Sequence, residues 1–181
     1  ILKYDLASGT VVGKSAAFSA RKGSGEWNSD TYLIAYYKDG AIYVFDINDN
    51  LLSISVDDFK EDGSVAPAAV ENAPEFTLTN VSGMAYKDGK YATIDSNGVL
   101  KIYKENNLTT AISSTQCVNV SGGGSAKRLT ASGNYLYALS LANGVITPKV
   151  TVVDWYGVKI AELTIPVTKE LIGIPETIEV T

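Results

Sequence analysis

The sequence predicts an all-β protein made of repeated four-stranded antiparallel units, and three observations predict it. The composition is that of a pleated, turn-rich chain: 181 residues carry eleven Tyr and sixteen Gly, with abundant Val, Ile and Thr. Asp-Gly and Asn-Gly pairs stand between strand-like runs, at Lys87-Asp88-Gly89-Lys90 and Ser96-Asn97-Gly98. They supply the positive φ values that tight hairpin turns need. The same pattern of run, turn and run recurs before and after residues 86–104.

Taken in order, Ile1 to Lys14 predicts two strands about a turn at Ala7-Ser8-Gly9. A lone hairpin is marginal in water, so this pair must dock on strands from elsewhere. Ser15 to Ala20 is a short strand candidate, followed by the polar loop Arg21 to Asp30. Thr31 to Tyr37 is a β-prone run that turns at Lys38-Asp39-Gly40 into Ala41–Ile47, and after Asn48-Asp49-Asn50 the chain returns as Leu51–Val56. Residues 57–76 break the rhythm. Pro67 and Pro74 oppose a central strand, and six carboxylates face only Lys60, which predicts an acidic surface loop with a short helical turn around Ala68 to Glu71. Strand candidates resume at VSGMAY, KYATID, VLKIYK and LTTAIS, then at AKRLTAS, YLYALSL, KVTVVDW and KIAELTI. The closing PETIEVT reads as the first strand of another unit.

The third strand of each unit carries Tyr4, Phe45, Tyr103 or Val153 at one expected repeat position, spaced 41, 58 and 50 residues apart. Without the acidic loop the middle interval falls to about 40, a spacing shared with propeller blades. An inner strand, a second strand opened by Asp-Gly, an Asn-Gly turn and a third strand of alternating apolar residues resemble the blades of β-propellers, closest to the degenerate bacterial quinoprotein-like and YVTN-type repeats. The tryptophan-aspartate signature of other propellers is missing, since Asp154-Trp155 runs in reverse order and the chain has no His. The resemblance implies three full blades and partial blades at both ends: 1–14 ends a blade, 15–56 is a blade, 57–76 is an insertion, 77–120 and 121–166 are blades, and 167–181 starts another. An opening at Ile1 fits a processed product or a piece of a longer protein. Two arrangements follow, a closed four-bladed ring or an excerpt of a larger one, and cuts inside two units favour the excerpt.

Charge narrows the function. A net charge of −5, a sequence pI of about 4.7 and only two arginines, Arg21 and Arg128, leave no basic face for nucleic acid or an anionic membrane. No apolar run approaches the ~20 residues of a membrane-spanning helix. The absence of His removes Ser-His-Asp and Cys-His nucleophile systems and every His-liganded metal site from this chain. Cys117 has no second cysteine to pair with, and no His to activate it.

Several motifs carry weak chemical readings. Asp46, Asn48 and Asn50 match the opening of a calcium loop with Asp57 at its twelfth place, but Leu51 stands where that loop requires Gly. Asp5, Asp46 and Asp154 sit at repeat-equivalent places, so turn capping explains them better than the convergent carboxylate pair of a glycosidase. Gly13-Lys14-Ser15 lacks the first glycine of a phosphate-binding loop, and Ser121 to Ser125 reads as an interblade linker. Exposed aromatics are a better lead: Trp27 in the polar loop, and Trp155 with Tyr156 before the turn at Gly157, are suited to stacking on a sugar ring or anchoring a protein partner.

The reading is therefore a non-catalytic binding scaffold without a cofactor, extracellular or on a cell or particle surface, that engages a protein or glycan through its loops. The remainder of a longer propeller chain is a further expected partner. A fragment of a propeller glycosidase or lyase, with catalytic residues partly outside this chain, is the alternative, and an architectural segment of an assembly is a third.

Overall fold

A computed structural model describes residues 1–21, 34–117, 125–142 and 149–164. Trp27, the glycine-rich run 121–124 and the closing segment 175–181 lie outside the described residues. The described residues form a two-stranded hairpin and three four-stranded antiparallel sheets, each a meander in chain order, with one short 3-10 turn at Val56–Asp58 and no α-helix among them.

The hairpin joins β1 (Leu2–Asp5) to β2 (Thr10–Lys14). It docks on the acidic stretch: Lys14 N donates to Lys60 O, Ala16 N to Val65 O, and Gly13 lies against Phe59. The first sheet contains β3 (Ala35–Lys38), β4 (Ala41–Phe45), β5 (Leu51–Ser55) and β6 (Ala68–Ala69). The second contains β7 (Val81–Lys87), β8 (Lys90–Asp95), β9 (Val99–Lys104) and β10 (Ser113–Gln116). The third contains β11 (Ser125–Ser132), β12 (Tyr135–Ala142), β13 (Lys149–Asp154) and β14 (Lys159–Thr164).

First strands β3, β7 and β11 are each the edge of their own sheet, and β7 contacts both of the others. Gly83 of β7 explains how close that approach is. A Cβ there would lie 2.9 Å from the backbone nitrogen of Leu129 in β11. Successive meanders with converging inner edges and outer edges at β6, β10 and β14 are β-propeller blades.

The core follows the two-residue period of the strands. In β8, Tyr91 points into a cluster with Ile34, Tyr36, Phe45, Leu51 and Met84, between the first and second sheets. Ala92 and Ile94, on the other face, join Leu100, Ile102, Leu136, Ala138 and Val153 between the second and third sheets. The first cluster is rich in aromatic contacts: Tyr36 stacks on Tyr43 at 5.0 Å, and Phe76 meets Tyr91 edge-on at 5.1 Å.

Within the first sheet the frame differs from the expectation by one strand. Ser15 to Ala20 forms no ladder, only an isolated bridge from Ala20 to Asp46. The described part of the 31–37 run is consequently a first strand, and Phe45 ends a second strand instead of occupying a third. The missing fourth strand comes from the acidic stretch, where a helical turn was expected: Ala68 and Ala69 pair with Ser53 and Leu52. Backbone pairing at an outer edge requires no apolar side chain, so alternation does not announce it. The fourth strand of the second sheet likewise lies at Ser113–Gln116, starting only at the last residue of the LTTAIS run.

Candidate functional site

At one end of the blades gather the turns joining first to second and third to fourth strands. Asp88 and Gly89 have φ values of 48° and 72°, and Asp39 and Gly40 have 48° and 80°. Both turns have the paired positive φ that Asp-Gly predicts. Each follows a lysine that ends the first strand, Lys38 or Lys87. The pairings Lys38↔Ala41, Lys87↔Lys90 and Ser132↔Tyr135 make these positions equivalent across the three blades.

Between the first and second blades Lys38 Nζ forms an ion pair with Glu105 Oε1. Tyr86 donates its hydroxyl hydrogen to Glu105 Oε2 at 3.0 Å and accepts from Gly89 N at 3.2 Å. Lys38 Nζ also lies 4.7 Å from the Tyr86 ring centroid. The Lys38 hydrogen bond, helped by that from Tyr86, holds the Glu105 carboxyl below its ordinary pKa, and the same bond raises Lys38. Burial, then the bond to Glu105, raises Tyr86. All three side chains are thereby held in their ordinary ionisation states at neutral pH, engaged with one another.

Between the second and third blades the equivalent place is built differently. Lys87 Nζ donates to Gly133 O at 2.6 Å and to Asn134 Oδ1 at 2.9 Å. The Asp154 carboxylate shapes the opposite wall: its Oδ1 accepts from Tyr156 N and Val158 N, both at 2.8 Å. That turn sends Trp155 inward and Tyr156 outward. Trp155 is 6% exposed and belongs to the core, whereas Tyr156 is 76% exposed. Lys90 Nζ donates to Trp155 O at 3.2 Å and lies 4.1 Å from the Tyr156 ring centroid. Together with Asp88, Tyr135 and Ile160 these residues line a cleft of about 420 Å³.

Of the residues predicted to bind, Tyr156 and Trp155 therefore meet in one cleft, Tyr156 as an exposed ring with Lys90 over one face and Trp155 as part of the core behind it. The lysines were not anticipated. Their signal was the repeated Lys-Asp-Gly, read only as turn chemistry.

Of the calcium candidates, Asp46, Asn48 and Asn50 share one turn and Asp57 lies apart from them. Asp46 Oδ1 accepts from Asn48 N and Asn50 N, and Oδ2 from Asn50 Nδ2, each at 2.8 Å. Asp57 lies beyond the far end of β5, where Val56 N donates to Gly40 O. Among the described residues no group of three or more His, Cys, Asp or Glu side chains is placed to hold a metal ion. Cys117 is buried in the core, and burial pushes its thiol up to about 11, so it is protonated at neutral pH.

No family model and no curated protein matches the chain. Solved structures do resemble it. A europium-containing methanol dehydrogenase is 12% identical, with a TM-score of 0.44 over 82% of this chain and 28% of that one. BamB from Moraxella catarrhalis is 13% identical, with a TM-score of 0.40 over 84% of this chain and 44% of that one. A quinonprotein alcohol dehydrogenase-like protein from Bacteroides thetaiotaomicron is 12% identical, with a TM-score of 0.43 over 89% of this chain and 50% of that one. The chain thus spans half or less of the length of these three. They belong to the quinoprotein-like and BamB types, and no specific family is assigned.

Proposed function

We propose that the chain is a non-catalytic binding scaffold, a single propeller or a segment of one, displayed on the exterior of a cell or particle, that engages a protein or glycan through the turns at one end of its blades. The observation that carries this reading is the cleft between the second and third blades, where Tyr156 stands 76% exposed beside two lysines. An aromatic ring held by a rigid turn loses little freedom on contact, which suits it to anchoring a ligand. The Lys38-Glu105-Tyr86 network supports a scaffold role for the neighbouring junction, because its polar atoms are committed to each other. Among the described residues no helix is long and apolar enough to cross a membrane.

The test is a binding screen of the 181-residue chain against a glycan array and a panel of extracellular proteins, repeated with Tyr156→Ala. Truncating an anchor of this kind costs about 1–2 kcal/mol, a ~5- to 30-fold loss of affinity. Retention of every affinity in a Tyr156→Ala variant with an unchanged melting curve would remove the cleft from the function.

A further inference from the structure

The second junction lacks a group that the first one has. Lys104 pairs with Lys90 in the second sheet as Asp154 pairs with Tyr135 in the third, so the residue after each, Glu105 or Trp155, occupies the same place in its blade. Lys38 at the first junction therefore corresponds to Lys87 at the second, and Glu105, the carboxylate that receives Lys38, corresponds to Trp155. Trp155 is turned into the core and supplies no anion. Lys87 is left with a carbonyl oxygen, an amide oxygen and, at 4.0 Å, the carboxylate of Asp88, which is 84% exposed. Lys90 is left with a carbonyl oxygen and the Tyr156 ring. The other acid of the cleft, Asp154, is occupied by two backbone N–H groups of its own turn. The cleft thus keeps the equivalent lysine, adds Lys90 where the first blade has Ala41, and omits the built-in carboxylate of its neighbour.

We infer that this cleft takes a carboxylated saccharide, a hexuronic acid residue whose carboxylate is held by Lys87 and Lys90 where the neighbouring junction uses Glu105, and whose ring stacks on Tyr156. The inference rests on the reading of the cleft as a binding site. A sugar ring suits the lining better than an extended peptide. The volume of about 420 Å³ lies at the small-ligand end of the range. Tyr156 offers a flat face to ring C–H groups, and the Asn134 amide with the Asp88 carboxylate offers partners for hydroxyls. A carboxylate bound by ammonium groups is also the charge-assisted contact that discriminates a uronic acid from its neutral hexose.

The experiment titrates the ¹⁵N-labelled 181-residue chain with trigalacturonate, with neutral galactotriose and with triglutamate, following the Tyr156 and Lys90 amides. Trigalacturonate should bind at least tenfold more tightly than galactotriose, and its affinity should fall as salt rises from 20 to 200 mM. Lys87→Gln with Lys90→Gln should abolish that preference, while Tyr156→Ala should weaken both sugars. The salt dependence of the unaltered chain keeps the test independent of whether the double variant folds. Equal binding of the neutral sugar, or tighter binding of triglutamate, overturns the inference while leaving the cleft a binding site. If none of the three shifts those amides, the inference falls and the binding reading loses its support as well.

Discussion

Four aspartates perform one local task. Oδ1 of Asp46, Asp95 and Asp154 accepts from the backbone N–H groups two and four residues ahead, and Asp5 Oδ1 accepts from Ala7 N, two ahead. Each carboxylate closes a turn between strands, so its charge is committed to backbone donors and not to a substrate. Glu105 differs, because its partners Lys38 and Tyr86 lie 67 and 19 residues away and join separate blades. Its lowered pKa makes a stability prediction. A carboxyl depressed on folding stabilises fully above its ordinary value of 4.5, and the contribution is lost as pH falls through the lowered folded value. Glu105 is 40% exposed, so solvent screening keeps the effect small, under about 1 kcal/mol. In urea unfolding between pH 3 and pH 7, Glu105→Gln should lower the midpoint at pH 7 and lower it less at pH 3. Equal lowering at both values would mean that Glu105 acts through packing and not through charge.

At the scale of elements, the turn between β13 and β14 is keyed into the outer strand of the preceding blade. Thr115 donates its hydroxyl hydrogen to Gly157 O at 2.6 Å. Gly157 has a φ of 87°, and a Cβ there would overlap Ser113 Oγ and lie 2.6 Å from Ser113 Cβ. Strain and overlap act together, so Gly157→Ala should destabilise by about 2–3 kcal/mol in urea unfolding. Adding Ser113→Gly should recover the steric part but not the backbone part. A variant as stable as the parent would show that β10 and this turn do not meet. These elements also mark what could be read from the chain alone. Turns were legible because Asp-Gly and Asn-Gly state their backbone angles locally, and strands β7 to β9 were legible as the β-prone runs between those turns. The strand frame of the first blade was not. A period of two looks the same in a first, second or third strand, and the Ala68–Ala69 pairing is made by backbone alone. The cleft was half legible. Tyr156 stood out beside a turn, but Lys87 and Lys90 acquire their role from residues 46 and 65 positions further along the chain.

In the molecule as a whole, the second sheet carries both cores. Tyr91 faces the first blade, while Ala92, Ile94, Leu100 and Ile102 face the third, and none of the five is more than 2% exposed. Neither outer blade can detach without exposing one face of this sheet, so the three should open as a unit, whereas the β1–β2 hairpin has Leu2, Tyr4, Val11 and Val12 already open to solvent. Native-state hydrogen exchange separates these regimes. Amides of β8 should exchange only through global unfolding, with a urea dependence equal to the equilibrium slope. Those of β1 and β2 should exchange at lower free energy with little urea dependence. Ile102→Ala removes side-chain volume from the core between the second and third blades and should cost about 2–5 kcal/mol. If the blades are one cooperative unit, that loss appears equally in the slowest amides of β4, on the far side of the second sheet, and of β12, which touches the altered core. Loss confined to β12 would instead make each junction an independent unit, and the shared sheet a hinge between them.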